Sequence, residues 1–275
     1  MALATRYWVI MNNIIFCFSG TGNSLKAAKT IAASAFAEAE SGNTEIVSMA
    51  KLGKYTLSKK YDTVGFIYPV YAWGLPKKVA EFAANLDLTS SKNAYFYSVA
   101  THGGQAGNGV YQMYELLHKR HGIKMNYGQD LKMFSNYVIM SDMKKNVNEI
   151  TEKSNAALVP IVDSIKSRQN KSTNKLTKIF HFFNKMFINN VSNMDKHYNV
   201  NDACTACSIC VKVCPVKNIE LLNNRPKFNN KCEQCVACIQ YCPVKAINYK
   251  NLTQKRGRYT NPKISFKTLS EFNNL

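Results

Sequence analysis

Between residues 13 and 142 the chain alternates between short runs that are apolar throughout and longer stretches with helical spacing. The apolar runs are Ile14–Phe18, Glu45–Met49, Thr63–Val70, Ala94–Ala100 and, least distinct, Met125–Asp130. Among them, Asn23–Glu38, Leu75–Leu86 and Gly109–His121 carry apolar residues at the three-to-four-residue period of a helix. A strand that is apolar on both faces belongs in a sheet covered on both sides. Strand–helix alternation at this spacing predicts a doubly wound α/β domain with a parallel sheet over residues 13–144.

The pattern changes after that. Helical spacing over Val147–Ile165 is followed by a polar, basic stretch, Lys166–Lys175, which reads as a linker. Leu176, Ile179, Phe180, Phe183, Met186 and Phe187 then repeat as one stripe, with Lys175, Lys178 and Lys185 elsewhere on the wheel. This predicts an amphipathic helix whose apolar face packs on one of the protein's own domains, with a membrane surface as the competing partner. Residues 145–199 are thus expected to form a helical linker and residues 200–249 a small domain. The tail, 250–275, with Lys255, Arg256 and Arg258, is expected to be solvated. Residues 1–12 read as an extension, with Met11 as an alternative start.

Cysteine usage separates the halves. Of nine cysteines, only Cys17 lies outside residues 204–242, and its apolar surroundings mark it as a small core residue. The other eight form two copies of C-x2-C-x2-C-x3-C-P: Cys204, Cys207, Cys210, Cys214 with Pro215, and Cys232, Cys235, Cys238, Cys242 with Pro243. The copies are offset by 28 positions, an internal repeat. A disulfide framework suits a small secreted chain, and no secretory signal is evident, so a cytoplasmic protein is expected. Zinc sites pair CxxC units across longer gaps. This spacing resembles that of bacterial ferredoxin halves holding [4Fe–4S] clusters, in which a short loop supplies three thiolates and the other repeat the fourth. The resemblance implies one cluster on Cys204, Cys207, Cys210 and Cys242, and another on Cys232, Cys235, Cys238 and Cys214.

Three loops follow predicted strands. Ser19-Gly20-Thr21-Gly22-Asn23-Ser24 opens a helix, where backbone N–H groups, hydroxyls and the helix dipole favour an anion. It has neither the lysine of a Walker A loop nor the spacing of a dinucleotide fingerprint. Tyr71-Ala72-Trp73-Gly74 offers flat aromatic surface after Pro69 ends its strand. Thr101-His102-Gly103-Gly104 offers a backbone-rich wall. In open α/β sheets ligands bind at such carboxyl ends. A phosphate cradle, aromatic surface and a glycine-rich wall together suit a planar, phosphorylated ring cofactor.

Residues 13–142 resemble a flavodoxin domain, whose phosphate loop has the form [S/T]-x-T-G-x-[S/T], and residues 200–249 resemble a two-cluster bacterial ferredoxin. The whole resembles the flavodoxin–ferredoxin fusion proteins of anaerobic bacteria. The likeness implies an α/β flavodoxin-like fold followed by a small α+β ferredoxin domain, with FMN and two [4Fe–4S] clusters as cofactors. Ser19, Thr21, Gly22, Asn23 and Ser24 would hold the FMN phosphate. Tyr71, Ala72, Trp73 and Gly74 would border the isoalloxazine on one side, and Thr101, His102, Gly103 and Gly104 on the other. His102 is either a proton donor to reduced flavin or a loop-lining residue, and Trp73 either stacks on the ring or fills an interface.

The expected function is electron transfer between FMN and the clusters. One alternative is an FMN-dependent reductase of a small substrate fed by its own clusters. Another is a ferredoxin with a flavin-free docking domain. No hydrolytic triad, paired-carboxylate site or HExxH element is present. The formal charge of +19 is heavier in the second half and favours acidic redox partners. It is not accompanied by a nucleic-acid-binding motif. No apolar run reaches membrane-spanning length.

Overall fold

The computed structural model describes residues 11–36, 44–50, 54–143, 146–171 and 177–274. Its first half contains β1 (Asn13–Cys17), α1 (Asn23–Ala35), β2 (Thr44–Ser48), β3 (Tyr55–Thr56), β4 (Thr63–Pro69) and α2 (Lys77–Ala84). It continues with β5 (Leu86–Asp87), β6 (Tyr95–His102), α3 (Gly109–His121) and β7 (Tyr127–Lys132). The second half contains α4 (Val147–Lys166), α5 (Lys178–Asn190), β8 (Tyr198–Val200), α6 (Ile209–Lys212) and β9 (Ile219–Leu222). It ends with β10 (Arg225–Phe228), α7 (Ala237–Gln240), β11 (Ile247–Tyr249) and α8 (Phe266–Asn274).

Five strands form one parallel sheet in the order β2-β1-β4-β6-β7, the doubly wound order in which β1 lies between its two successors. Its strands alternate between two cores. Ile15, Cys17, Ile67, Tyr97 and Val99 point to the face covered by α1 and α4. Ile14, Phe16, Val64, Phe66, Tyr68 and Phe96 point to the face covered by α2 and α3. Both faces are therefore dry, as the continuous apolar runs require. Cys17 is fully buried among these residues, and burial pushes its thiol well above the usual range.

The structure extends this layer beyond residue 144. Leu158, Ile161, Val162 and Ile165 of α4, expected in a linker, are buried in the same core as Leu25, Ala28 and Ile31 of α1. α4 packs on α1 and on β7.

Two further expectations are corrected. The tail is docked, with Tyr259, Ile264, Leu269 and Phe272 buried and α8 lying against the edge of the sheet at β2. Arg256 donates to the carbonyls of Val138 and Ile139 at 2.7 and 2.6 Å, so its charge serves a turn and not solvent. The helix predicted from Leu176 is present as α5, though Leu176 itself lies outside the described residues. Its docked face is only partly the predicted one. Phe180 and Phe187 of the stripe are half-buried beside the buried Asn184, while Ile179, Phe183 and Met186 are exposed. Asn184 Nδ2 donates to the carbonyls of Tyr71 and Leu75, and its Oδ1 accepts from Gln112. A buried amide with this many partners turns the helix so that only one edge of the stripe docks.

Residues 198–249 form two antiparallel strand pairs, β8 with β11 and β9 with β10, and two single-turn helices. The 28-residue repeat is structural: Ile209 opens α6 as Ala237 opens α7, and Ile219 opens β9 as Ile247 opens β11.

Leu269 tests the docked tail. Because its side chain is fully buried, Leu269→Ala is expected to destabilise the protein by about 2–5 kcal/mol in chemical denaturation. A loss near zero would mean the tail is not part of the folded unit.

Candidate functional site

Each cysteine loop is wound tightly enough to turn residues without glycine into the left-handed region, and the strain repeats with the sequence. Ala206 and Gln234 (φ 54° and 55°), Ser208 and Val236 (62° and 56°), and Lys217 and Lys245 (50° and 53°) match pairwise across the repeat. Val236 is the costliest, since β-branching disfavours positive φ. The winding turns backbone donors onto sulfur. Asn218 N–H donates to Cys214 Sγ and Ala246 N–H to Cys242 Sγ, both at 3.2 Å, at equivalent positions of the repeat. Gln234 N–H donates to Cys232 Sγ at 3.2 Å.

The eight cysteines surround two small cavities. One is lined by Cys204, Cys207, Cys210 and Cys242, the other by Cys214, Cys232, Cys235 and Cys238. Their volumes, about 330 and 310 Å³, are matched, as two copies of one group would require. Each lining contains four cysteines, three from one copy of the repeat and one from the other. Among the described residues, no three His, Cys, Asp or Glu side chains are grouped to hold a single metal ion. Burial pushes the Cys210 thiol up to about 11 and that of Cys232 up to about 12, and lifts Cys235 and Cys238 further. Burial thus favours the neutral thiol at these positions.

The two loops differ in surroundings. Cys207 is exposed, whereas Glu233 to Ala237 of the second loop are buried against the α/β layer. Burial raises the Glu233 carboxyl to about 7. The contact point is Gly20. A Cβ there would stand 2.8 Å from the Cys235 carbonyl oxygen, 3.0 Å from Cys235 Cβ and 3.3 Å from the Tyr71 hydroxyl.

Beside this contact lies a pocket of about 360 Å³, within the range of small-molecule sites. It brings together Tyr71, Ala72, Trp73, His102, Gly103 and Gly104, as expected, and Gln234, Cys235 and Val236 close one side. Ser135, Asn136, Tyr137, Met140 and Phe187 also line it, and no motif announced them. Ala72 and Trp73 both have positive φ (45° and 63°) in a two-residue turn closed by reciprocal Tyr71–Gly74 backbone hydrogen bonds of 3.0 Å. The Trp73 ring stacks on Phe180 of α5, with centroids 5.7 Å apart and planes 10° apart, so it serves an interface. The buried Tyr71 hydroxyl has no hydrogen-bond partner among the described residues.

Two expected residues stand apart from the pocket lining. Gly74 is packed against Asn184 and Gln112, and Thr101 is buried with its hydroxyl on Ser24 Oγ at 2.8 Å. His102 is present in the lining, but both ring nitrogens face oxygen acceptors: Nδ1 the Gly104 carbonyl at 3.0 Å, Nε2 the Asp130 carboxylate at 2.9 Å. The hydrogen bond from His102 holds the Asp130 carboxyl below its usual range. No ring nitrogen remains to hand a proton to a ligand, so the proton-donor reading of His102 is not supported.

The Ser19–Ser24 loop is not part of the pocket lining, and its side chains have partners within the protein. Ser19 Oγ accepts from Gly22 N–H at 3.1 Å, and Thr21 Oγ1 accepts from Asn136 Nδ2 at 2.7 Å. Asn23 Oδ1 accepts from the Tyr259 hydroxyl and Asn261 Nδ2 at 2.8 and 3.0 Å, and its Nδ2 donates to the Phe134 carbonyl at 3.0 Å. Gly22, at φ 97°, faces Asn261 and Ile264.

The Gly20 contact predicts that Gly20→Ala pushes the second cysteine loop off the α/β layer, with a loss of about 1–3 kcal/mol in denaturation experiments. Gly104→Ala, where an added Cβ meets nothing within 4 Å, should change little. Equal effects would remove the packing argument.

Comparison with known proteins agrees on the first half. Among curated proteins none matches the chain. Similar solved structures include a Bacteroides uniformis protein described as a flavoprotein (21% identity, 46% of this chain and 92% of that one, TM-score 0.34). Another is an NADH:FMN oxidoreductase in its apo form (14%, 58% and 91%, TM-score 0.41). A third is the two-electron-reduced flavodoxin of Megasphaera elsdenii (16%, 42% and 84%, TM-score 0.32). No helix among the described residues is long and apolar enough to cross a membrane. The flavodoxin domain family matches residues 14–129, and with the parallel sheet and its flanking helices this gives the chain a flavodoxin-like domain.

Proposed function

We propose that the protein is an electron-transfer iron–sulfur flavoprotein. A flavin of the FMN type occupies the pocket between the Tyr71–Trp73 and His102–Gly104 loops, and a [4Fe–4S] cluster occupies each four-cysteine cavity. The observation that carries this reading is that Cys235 lines both the inner cavity and the pocket. The donor chemistry fits: in a cube each of four irons takes one thiolate, and N–H groups on the sulfurs offset their charge. The pocket fits a flat ring on its aromatic and glycine-rich walls, with the partnerless Tyr71 hydroxyl at hand.

When bound, the flavin accepts two electrons and releases them singly, and the clusters exchange one at a time. The chain's own residues set the route. Gln234, Cys235 and Val236 are the wall between ring and inner cavity, and their burial excludes water from that wall. Cys207 exposes the outer cavity, which is rimmed by Leu221, Pro226 and Val244, with Lys227 and Lys245 adjacent in the chain. An acidic redox protein docking on that rim is the partner class that the formal charge of +19 favours.

An anaerobic absorbance spectrum with iron, sulfide and flavin analysis tests the reading, with about eight irons and one flavin per chain expected. Full iron with no flavin after flavin is supplied would leave only a two-cluster carrier. Cys214→Ala should abolish the signal of the inner cluster and leave the outer one. Loss of the outer signal instead would overturn the crossed ligand sets.

A further inference from the structure

We propose that Asp195 is a positioning residue of the inner four-cysteine cavity alone, where its buried carboxylate ties the two cysteine copies together and lowers the reduction potential of the cluster held there. The potential half of this rests on the function proposed above. The tie rests on hydrogen bonds within the chain.

Asp195 lies outside both motifs, in the 3-10 turn Val191–His197 that follows α5. This turn runs along the start of the second cysteine loop. The Ser192 carbonyl accepts from Cys232 N–H at 3.3 Å, and Met194 Sδ accepts from Gln234 Nε2 at 3.4 Å. Asp195 Oδ2 accepts from Asn230 N–H and from Asn218 Nδ2, both at 2.9 Å. Asn218 Oδ1 in turn accepts from the N–H groups of Lys231 and Asn229 at 2.6 and 3.2 Å, and its own N–H donates to Cys214 Sγ. One carboxylate oxygen thus joins the turn that carries Cys214 to the segment that leads into Cys232, and both cysteines line the inner cavity.

The outer cavity has no counterpart to this network. At the position of the repeat that matches Asn218 stands Ala246, which offers Cys242 the same backbone N–H but no side-chain amide. Cys204 N–H, which matches that of Cys232, donates to the Asn201 carbonyl in its own loop at 3.3 Å. The match to Asn230 is Asp202, which is exposed and paired with Arg225.

The geometry singles out the charge. Asp195 is 2% exposed, and its Oδ1 is buried with no hydrogen-bond partner. Two N–H donors on one oxygen, and no acceptor for a proton on the other, is the pattern of an ionised carboxylate. No cation among the described residues forms an ion pair with it. An asparagine carbonyl at the place of Oδ2 would accept the same two hydrogen bonds without burying an unpaired charged oxygen, which is costly. What the carboxylate adds to the tie is therefore its field. That field reaches Cys232, and an electron added to a cluster on these sulfurs would be opposed by it.

The test is an anaerobic redox titration of iron-loaded, full-length Asp195→Asn protein, followed by electron paramagnetic resonance. The variant is expected to keep about eight irons, to move one cluster to higher potential and to leave the other in place. The expected shift is on the order of tenfold in the reduction equilibrium, about 59 mV for one electron. In the Cys214→Ala background, which keeps the outer cluster only, the same substitution should move nothing. Unmoved potentials, a shift of both clusters, a shift in that background, or loss of iron from Asp195→Asn would each overturn the charge reading. Asn218→Ala tests the tie. Hydrogen exchange at the Asn230 and Lys231 N–H groups should accelerate with or without iron, and unchanged exchange would overturn the tie. If the wild-type chain takes up no iron, the cluster reading fails and the potential half with it, and the tie is still judged by exchange.

Discussion

The structure depends on one close approach, that of the Cys235 backbone to Gly20. At that point an added methyl group would already be in collision, so the inner cysteine loop can seat only on a residue without a side chain. From this contact follow the burial of one cysteine loop but not the other, the position of Cys235 in the pocket wall, and the burial of the Tyr71 hydroxyl. The tail secures it. Exposing Ile264, Leu269 and Phe272 would cost about 1.5–3 kcal/mol for each side chain, so the seated arrangement dominates.

The seating also breaks a symmetry that the sequence holds strictly. The two cysteine motifs have identical spacing and the same left-handed turns, and each closes on a cavity of nearly the same size. The clusters proposed for them would differ in potential, which follows solvent exposure as well as ligands. The Cys235 and Cys238 side opens onto the α/β layer and the Cys207 side onto solvent, which gives an otherwise even pair an inside and an outside.

Much of this was legible in the amino-acid order. Strands buried on both faces leave uninterrupted apolar runs, and so β1, β4 and β6 were recognisable to within a residue or two. The cysteine sets were implied by a resemblance in spacing, and the four residues of each set line one cavity. The aromatic and histidine loops were identified because strand ends at a switch point converge. What was missed has a common cause. Periodicity reveals that a helix has two faces but not which one docks. In α5 a single amide, Asn184, turns the helix so that Phe180 and Phe187 dock and the rest of the stripe does not, and in α4 the apolar face finds the sheet instead of spanning between domains. The tail looked solvated because its buried residues, Tyr259, Ile264, Leu269 and Phe272, are spaced too irregularly to make a run.

The glycine loop carries a wider consequence. A stretch such as Ser19–Ser24 is ordinarily scored as a nucleotide signature wherever it turns up. In this fold, small residues are demanded there by a neighbouring backbone and by a network of amides. Selection acting on assembly alone would preserve the same letters. Through Gly20 and Asn23 these letters also hold the inner cysteine loop and the tail, so a single change there is felt in three parts of the chain at once.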